Sequence, residues 1–323
     1  MKLLELIIKP QGPFASRIKA DTLFGQFCWQ IAESHDLLGV ELETLLSDYA
    51  ENPFVVFSSA FPSNKEDGHR QYLVPRPKLP PKKIAERSKK ERLEAITKRK
   101  EEKAKSLVSI GKSLCIDTAR LNLREPKGES NVDLQHNTID RRTWTTGEGQ
   151  FAPFSKKAIT YARGTELCIF ALFDESRCSC DGIAEGIRRI GQFGYAGDAS
   201  TGCGRFELSE HGEIGLPDLS VSDVRYALSP FVPEADSCRD IYFTPFVRYG
   251  RHGSILARSE NPFKNPVLMA DEGAVLCLNK EDAKGNSKPY LGKAITGVSR
   301  VQREAVAQGY AICLPVTGPL EEA

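Results

Sequence analysis

The sequence predicts an α+β fold, with a ferredoxin-like βαββαβ unit in its first half and a more irregular, strand-rich second half. Three observations carry this. Apolar residues recur at helical spacing twice, around residues 23–31 and 183–190, and each repeat is flanked by short apolar runs that read as strands. A glycine-rich stretch, residues 194–206, joins the second helix to the strand that follows it. Past about residue 215 the helical period fades, and short apolar runs alternate with Pro/Gly turns.

Taken in order, residues 2–9 alternate as a first strand. Asp21 or Thr22 caps a helix in which Leu23, Phe24, Phe27, Cys28 and Ile31 share a face. Residues 54–57 make a second strand. From Leu73 to Phe154 the globular rhythm breaks into a proline-rich entry (Pro75, Pro77, Pro80, Pro81), a charged helix and a polar Gly/Thr/Arg region. This stretch reads as an insertion over 73–154. Residues 167–173 form a buried strand, and residues 181–193 a helix with Ile183, Ile187 and Ile190 aligned. A short strand at 206–209 closes the unit. Without the insertion the order is βαββαβ. The first domain thus covers 1–215 and a second covers 216–323, with apolar runs at 224–228, 241–249, 267–269, 274–278 and 311–316.

The 323 residues are enough for two modest cores. The net charge of +1 hides an uneven layout: residues 82–105 hold eleven Lys/Arg against five Glu, which leaves about −5 elsewhere. Such a block reads as a solvated helix or mobile arm, or as a local attractor for nucleic acid. No apolar run approaches the roughly 20 residues of a membrane span, so no membrane partner is expected. The opening residues are too short and too acidic for a signal peptide. Nine cysteines, none as Cys-x-x-Cys, include Cys28, Cys168, Cys277 and Cys313 in apolar stretches. That pattern points to a reducing, cytoplasmic setting and away from a zinc site, and no cofactor is expected.

The glycine-rich stretch is the most telling. Gly194, Gly197, Gly202 and Gly204 permit a backbone that approaches a ligand closely, and Ser200, Thr201 and Arg205 add donors. Successive N–H groups in such a loop form an anion-binding nest, and phosphate is the obvious ligand. Gly197 and Gly202 have P-loop spacing, but Cys203 and Gly204 stand where Lys and Ser/Thr are needed, which argues against an ATPase. A dinucleotide site needs strand, glycines, then helix; here the order is reversed. A flexible helix-to-strand connection is the other reading.

A βαββαβ domain with a Gly-x-Gly-Arg-Phe loop before its last strand resembles the repeat-associated mysterious protein (RAMP) superfamily of CRISPR effector proteins. Further stretches resemble the handle-binding subunits of type III-A (Csm) complexes: residues 18–25, 60–63, 73–77, and 136–142 with Gly147 and Phe151. Residues 249–253 and 308–312 extend the resemblance end to end. It implies two ferredoxin-like domains, no catalysis, and a grip on the 5′ handle of the CRISPR RNA (crRNA). It also implies contacts with a large polymerase-like subunit and a neighbouring backbone RAMP subunit. A thumb-like hairpin is implied too, and residues 136–154 are its candidate. There Trp144, Phe151 and Phe154 either stack on splayed bases or pack the insertion down, and His136 is a further candidate RNA contact.

RNA offers phosphates and 2′-hydroxyls, which suit amides, Ser/Thr and Arg. Four loops collect such groups: Arg17 and Lys19; Arg141 and Arg142; the glycine loop; and Arg248, Arg251 and His252. The rival reading is a RAMP endoribonuclease that processes precursor crRNA with a histidine near the end of the first helix, where His35 lies. A second rival makes Asp21 the carboxylate of a target-cleaving subunit, although an N-cap explains Asp21 better.

Overall fold

The computed structural model describes residues 1–66, 68–80, 104–279 and 288–320. The basic block 82–105 therefore lies almost wholly outside the described residues.

The chain opens with β1 (Lys2–Pro10), α1 (Ala20–Glu33), a short α2 (Leu42–Ser47) and β2 (Val55–Phe57). A hairpin of β3 (Phe61–Glu66) and β4 (His69–Pro75) follows. The next strands are β5 (Leu107–Ile110), β6 (Ile116–Asp117) and β7 (Leu123–Arg124). A long ribbon of β8 (Glu129–His136) and β9 (Phe154–Tyr161) leads into β10 (Glu166–Phe173), α3 (Cys180–Phe193) and β11 (Phe206–Ile214). The remaining strands are β12 (Val224–Ala227), β13 (Cys238–Tyr242), β14 (Pro245–Arg248), β15 (Val267–Ala270), β16 (Val275–Leu278), β17 (Tyr290–Gly292) and β18 (Tyr310–Thr317).

The first sheet runs β11-β1-β10-β3-β4-β5-β7, and β2 also pairs with β10. The β1-α1-β2-β10-α3-β11 path keeps the expected βαββαβ order. Leu3, Leu4, Leu6, Ile7 and Ile8 are all buried, so both faces of β1 are covered. The α1–α3 contact is close enough that a Cβ on Gly186 would sit 2.3 Å from the Phe27 ring. Ser179 caps α3, its side chain accepting from Gly182 N at 3.1 Å.

Three readings change. Helix α1 begins at Ala20 after Lys19, without a side-chain cap, so Asp21 lies in the first turn and is not the N-cap. The 73–154 insertion is not wholly outside the sheets: β5 pairs with β4, β7 with β5, and β6 joins β18 in the second sheet. Strand β11 runs to Ile214, well past residue 209. As an edge strand its outer positions stay polar, which masks it in the sequence.

The second sheet has the order β13-β16-β12-β18-β17. Among the described residues past 215 there are 3-10 turns but no α-helix, so the helical layer of a second ferredoxin-like unit is not present there. Prolines at 230, 233, 245, 262, 266 and 289 interrupt this half of the chain. One apolar cluster joins the two halves, from Leu3 through Phe170 to Tyr226, Ile312 and Leu314. Buried Gln308 links them in polar terms: Phe57 N donates to its Oε1 (2.9 Å) and its Nε2 donates to Phe57 O (2.7 Å).

Candidate nucleic-acid interface

The loop at 11–19 organises the site, because ribbon and glycine loop are both bonded to it. Gln11 N donates to Arg205 O (2.9 Å), and Gly204 N to Pro13 O (2.7 Å). Phe14 and Ile159 exchange backbone bonds at 2.7 Å, fixing β9 alongside. Lys156 Nζ of β9 reaches Asp198 Oδ1 at 2.8 Å, so the far end of the ribbon lies next to the glycine loop.

The glycine loop is tightly wound. Gly194, Ala196, Asp198, Gly202 and Gly204 all have positive φ. Gln26 of α1 holds the loop's start, donating to Gly194 O (3.3 Å) and accepting from Ala196 N (3.2 Å). Buried Tyr195 accepts from Lys19 N at 2.9 Å. Thr201 Oγ1 is spent internally on Asp198 O (2.8 Å). The amides of Gly197, Asp198, Ala199 and Ser200 donate no hydrogen bond among the described residues. Four successive free N–H groups, with exposed Ser200 and Arg205 beside them, are the makings of an anion nest.

The ribbon tip is a built turn. Asp140 accepts from Arg142 N (2.9 Å) and from the Arg142 guanidinium (3.0 Å), which holds its carboxyl below the usual range. Trp144 N donates to Asp140 O (2.7 Å), and Trp144 has φ +58° while remaining 79% exposed. A bulky residue in the left-handed region costs about 1–2 kcal/mol, and here the indole is nevertheless held out into water. His136 stacks on Phe154 with ring centroids 5.3 Å apart, so those two rings brace the ribbon end. Arg141 is exposed and has no partner among the described residues.

Several cations expected to meet phosphate are already neutralised. Arg17 donates to both Glu129 carboxylate oxygens, at 2.7 and 3.1 Å. Lys19 Nζ lies 2.5 Å from Asp271 and 2.7 Å from Glu272, and 4.5 Å from the centre of the Phe246 ring. Arg248 makes a bidentate pair with Asp21, whose side chain is only 5% exposed. His252 is buried against Ser299 Oγ at 2.7 Å, and burial, then Lys264, lowers its pKa. Arg251 is exposed, lies over Phe263 and reaches Ala257 O at 3.3 Å. Sequence reading missed Lys156, Asp21–Arg248 and the Asp271/Glu272 clamp, whose partners are far apart in the chain. His35 sits at the surface with Nδ1 2.8 Å from Glu41. No cluster of metal-ligating side chains occurs among the described residues, and no helix there is long and apolar enough to cross a membrane.

No family model matches the sequence, and no curated protein does. The three-dimensional comparison is different. A chain of the Csm1–Csm4 cassette crystallised with pppApA aligns over 99% of both chains, with a TM-score of 0.57 and 17% identity. The same cassette with cA4 gives 0.57 and 18% over the same shares. A chain of the Csm3–Csm4 subcomplex of the type III-A CRISPR-Cas interference complex gives 0.52 and 15%, covering 99% of this chain and 100% of that one. Csm4 is the subunit common to these assemblies. The chain shares the fold of these Csm4-containing structures. At such identities the likeness is one of fold, and the Csm4-like frame is kept while nearly all side chains differ.

The Lys19 clamp carries a pH dependence. Burial, reinforced by neighbouring Asp271, pushes Glu272 up to about 7. Burial also works against Asp271, but hydrogen bonds from Glu272 and Lys19 hold it below its ordinary value. The folded chain therefore binds the Glu272 proton more tightly than the unfolded chain, whose Glu titrates near ~4.3. That contribution is complete below ~4.3 and is lost as pH rises through about 7. Asp271 acts in the opposite sense at lower pH. Urea unfolding should show the wild type losing about 2 kcal/mol between pH 5 and 8 from this group, and Glu272→Gln losing clearly less. Equal slopes for both proteins would mean Glu272 stays ionised.

Proposed function

We propose that this chain is a non-catalytic RNA-binding subunit of a type III-A (Csm) CRISPR interference complex, working in the cytoplasm. It holds the 5′ handle of the crRNA and links a large polymerase-like subunit to the backbone RAMP subunits. The fold likeness to Csm4 supports the assembly role. The RNA role is carried by one observation above all: Trp144, strained and exposed, stands on a ribbon bonded to a loop with four free amides. The indole supplies a stacking face, and the amides with Arg141 and Arg205 supply phosphate contacts.

The absence of catalysis is part of the proposal. His35 is tied at the surface to Glu41, and Asp21 is sealed against Arg248, which supports neither as a reacting group. Incubation with precursor repeat RNA or target RNA, with and without Mg²⁺, should leave both intact. Cleavage that disappears in His35→Ala would instead favour the processing endoribonuclease.

Binding of a labelled handle RNA, followed by anisotropy, tests the site. Trp144→Ala should weaken it about tenfold, as expected for one lost base stack. Arg141→Ala and Arg205→Ala should each flatten the log–log salt dependence by about 0.7. Arg17→Ala and Arg248→Ala should leave that slope unchanged, because their charges are spent on Glu129 and Asp21. Undiminished affinity in Trp144→Ala together with Gly202→Ala would remove the ribbon and loop from the site.

A further inference from the structure

A second hairpin projects from the other half of the chain. Its strands β14 and β15 set Val247 opposite Leu268. Pairing continues outward: Lys264 N donates to Gly250 O (2.9 Å), Arg251 bridges Phe263, and His252 N donates to Pro262 O (2.8 Å). The tip is a 3-10 turn, Ser254–Arg258. The hairpin is firmly braced. Ser254 Oγ donates to Glu33 Oε1 (2.6 Å) at the end of α1, and Asn265 N donates to Val298 O (2.8 Å). Together with the His252–Ser299 bond, this fixes loop 297–303 along its flank.

The side chains left in water on this scaffold are unusually apolar. Ile255 is 81% exposed, Tyr249 78%, Leu268 65% and Phe263 63%, and Val247 and Val301 are exposed as well. The rim is mostly cationic. Arg251, Arg258, Arg300 and Arg303 are exposed on it, against Glu260, Glu304 and Glu33, the last held by Ser254 at the tip, while Arg248 is already paired with Asp21. Arg258, Arg300 and Arg303 are exposed and make no ion pair among the described residues.

We propose that this hairpin and the 297–303 loop dock a partner protein whose surface is apolar at its centre and carries carboxylates at its rim. The proposal rests on the complex-subunit reading above and names the surface that serves it. The aliphatic residues decide against RNA. Bases stack on Tyr249 or Phe263 and phosphates pair with Arg, but Val247, Ile255, Leu268 and Val301 gain only from contact with another apolar surface. An exposed apolar patch ringed by unpaired cations is the mark of a protein interface, and aromatic residues with Arg are its usual anchors.

The test co-expresses the chain with the large and backbone subunits of its complex and measures recovery of each subunit. Anisotropy of the labelled handle RNA on the isolated chain runs alongside. Ile255→Asp/Leu268→Asp, and separately Arg258→Glu/Arg300→Glu/Arg303→Glu, should cut recovery of a partner subunit about tenfold or more. RNA affinity and circular dichroism should stay those of the wild type. Full recovery with both variants overturns the proposal. Lost RNA affinity with intact assembly also overturns it and assigns the surface to RNA. Handle binding by the wild type with no partner recovered defeats the docking claim alone, whereas a wild type that does neither defeats the functional reading and this proposal with it.

Discussion

Gly204→Val should destabilise the chain by about 3 kcal/mol, whereas Gly202→Ala should cost only about 1. Both glycines have positive φ, +76° at Gly204 and +94° at Gly202, and a sequence reading gives them the same role. Their surroundings separate them. A Cβ on Gly204 would lie 2.3 Å from Tyr195 O and 2.4 Å from Tyr195 N, whereas one on Gly202 meets nothing within 4 Å. The atoms facing Gly204 are backbone, so no side-chain rotation relieves the clash. Yielding would break the Tyr195 N to Gly204 O bond (2.9 Å) and the Gly204 N to Pro13 O bond (2.7 Å), and with them the hold on loop 11–19. Thermal unfolding of the two variants reads this directly, and a Gly204→Val protein that melts like the wild type would sink the packing account. Gly202→Ala is the useful probe of RNA binding, because a loss of affinity there is not a loss of fold.

How far the sequence reveals this molecule depends on how local each determinant is. Helices α1 and α3 and strands β1 and β10 are visible because burial imposes a period on contiguous residues, as at Ile183, Ile187 and Ile190. Strands β6 and β7 have two residues each, too few to carry a period, and exist because β18 and β5 offer them partners. Trp144 and the glycine loop stand out for the same local reason, being unusual residues in polar surroundings. Charge state is not local. Arg17 is 112 residues from Glu129, and Lys19 is 252 from Asp271, so a loop cation that reads as free is neutralised by a carboxylate that only the fold brings near. Arg141 and Arg205 read the same way in the sequence, and their side chains have no partner among the described residues.

Asp21→Ala should unfold the protein more easily by about 3 kcal/mol, near the low end for a broken buried pair because Arg248 keeps some access to water. The two residues are 227 apart in sequence and meet with Arg248 Nη2 2.8 Å from Asp21 Oδ1, while Nε donates to Oδ2. The guanidinium also lies 4.8 Å from the ring centre of Phe246, on strand β14 of the second hairpin. Removing the carboxylate leaves Arg248 unpaired and withdraws an opposing charge from Lys264, whose pKa burial already lowers. Arg248→Met keeps the stem and its packing, so it should cost less alone. Because the partners share one interaction, the double variant should be less destabilised than the two singles summed, with a coupling of about 2 kcal/mol. Denaturant unfolding of the two singles and the double measures that coupling. Additive effects, or singles below about 1 kcal/mol, would mean that Arg248 is not committed to Asp21. Arg248 would then return to the set of groups free to meet phosphate, and Arg248→Ala would have to flatten the salt dependence of handle binding.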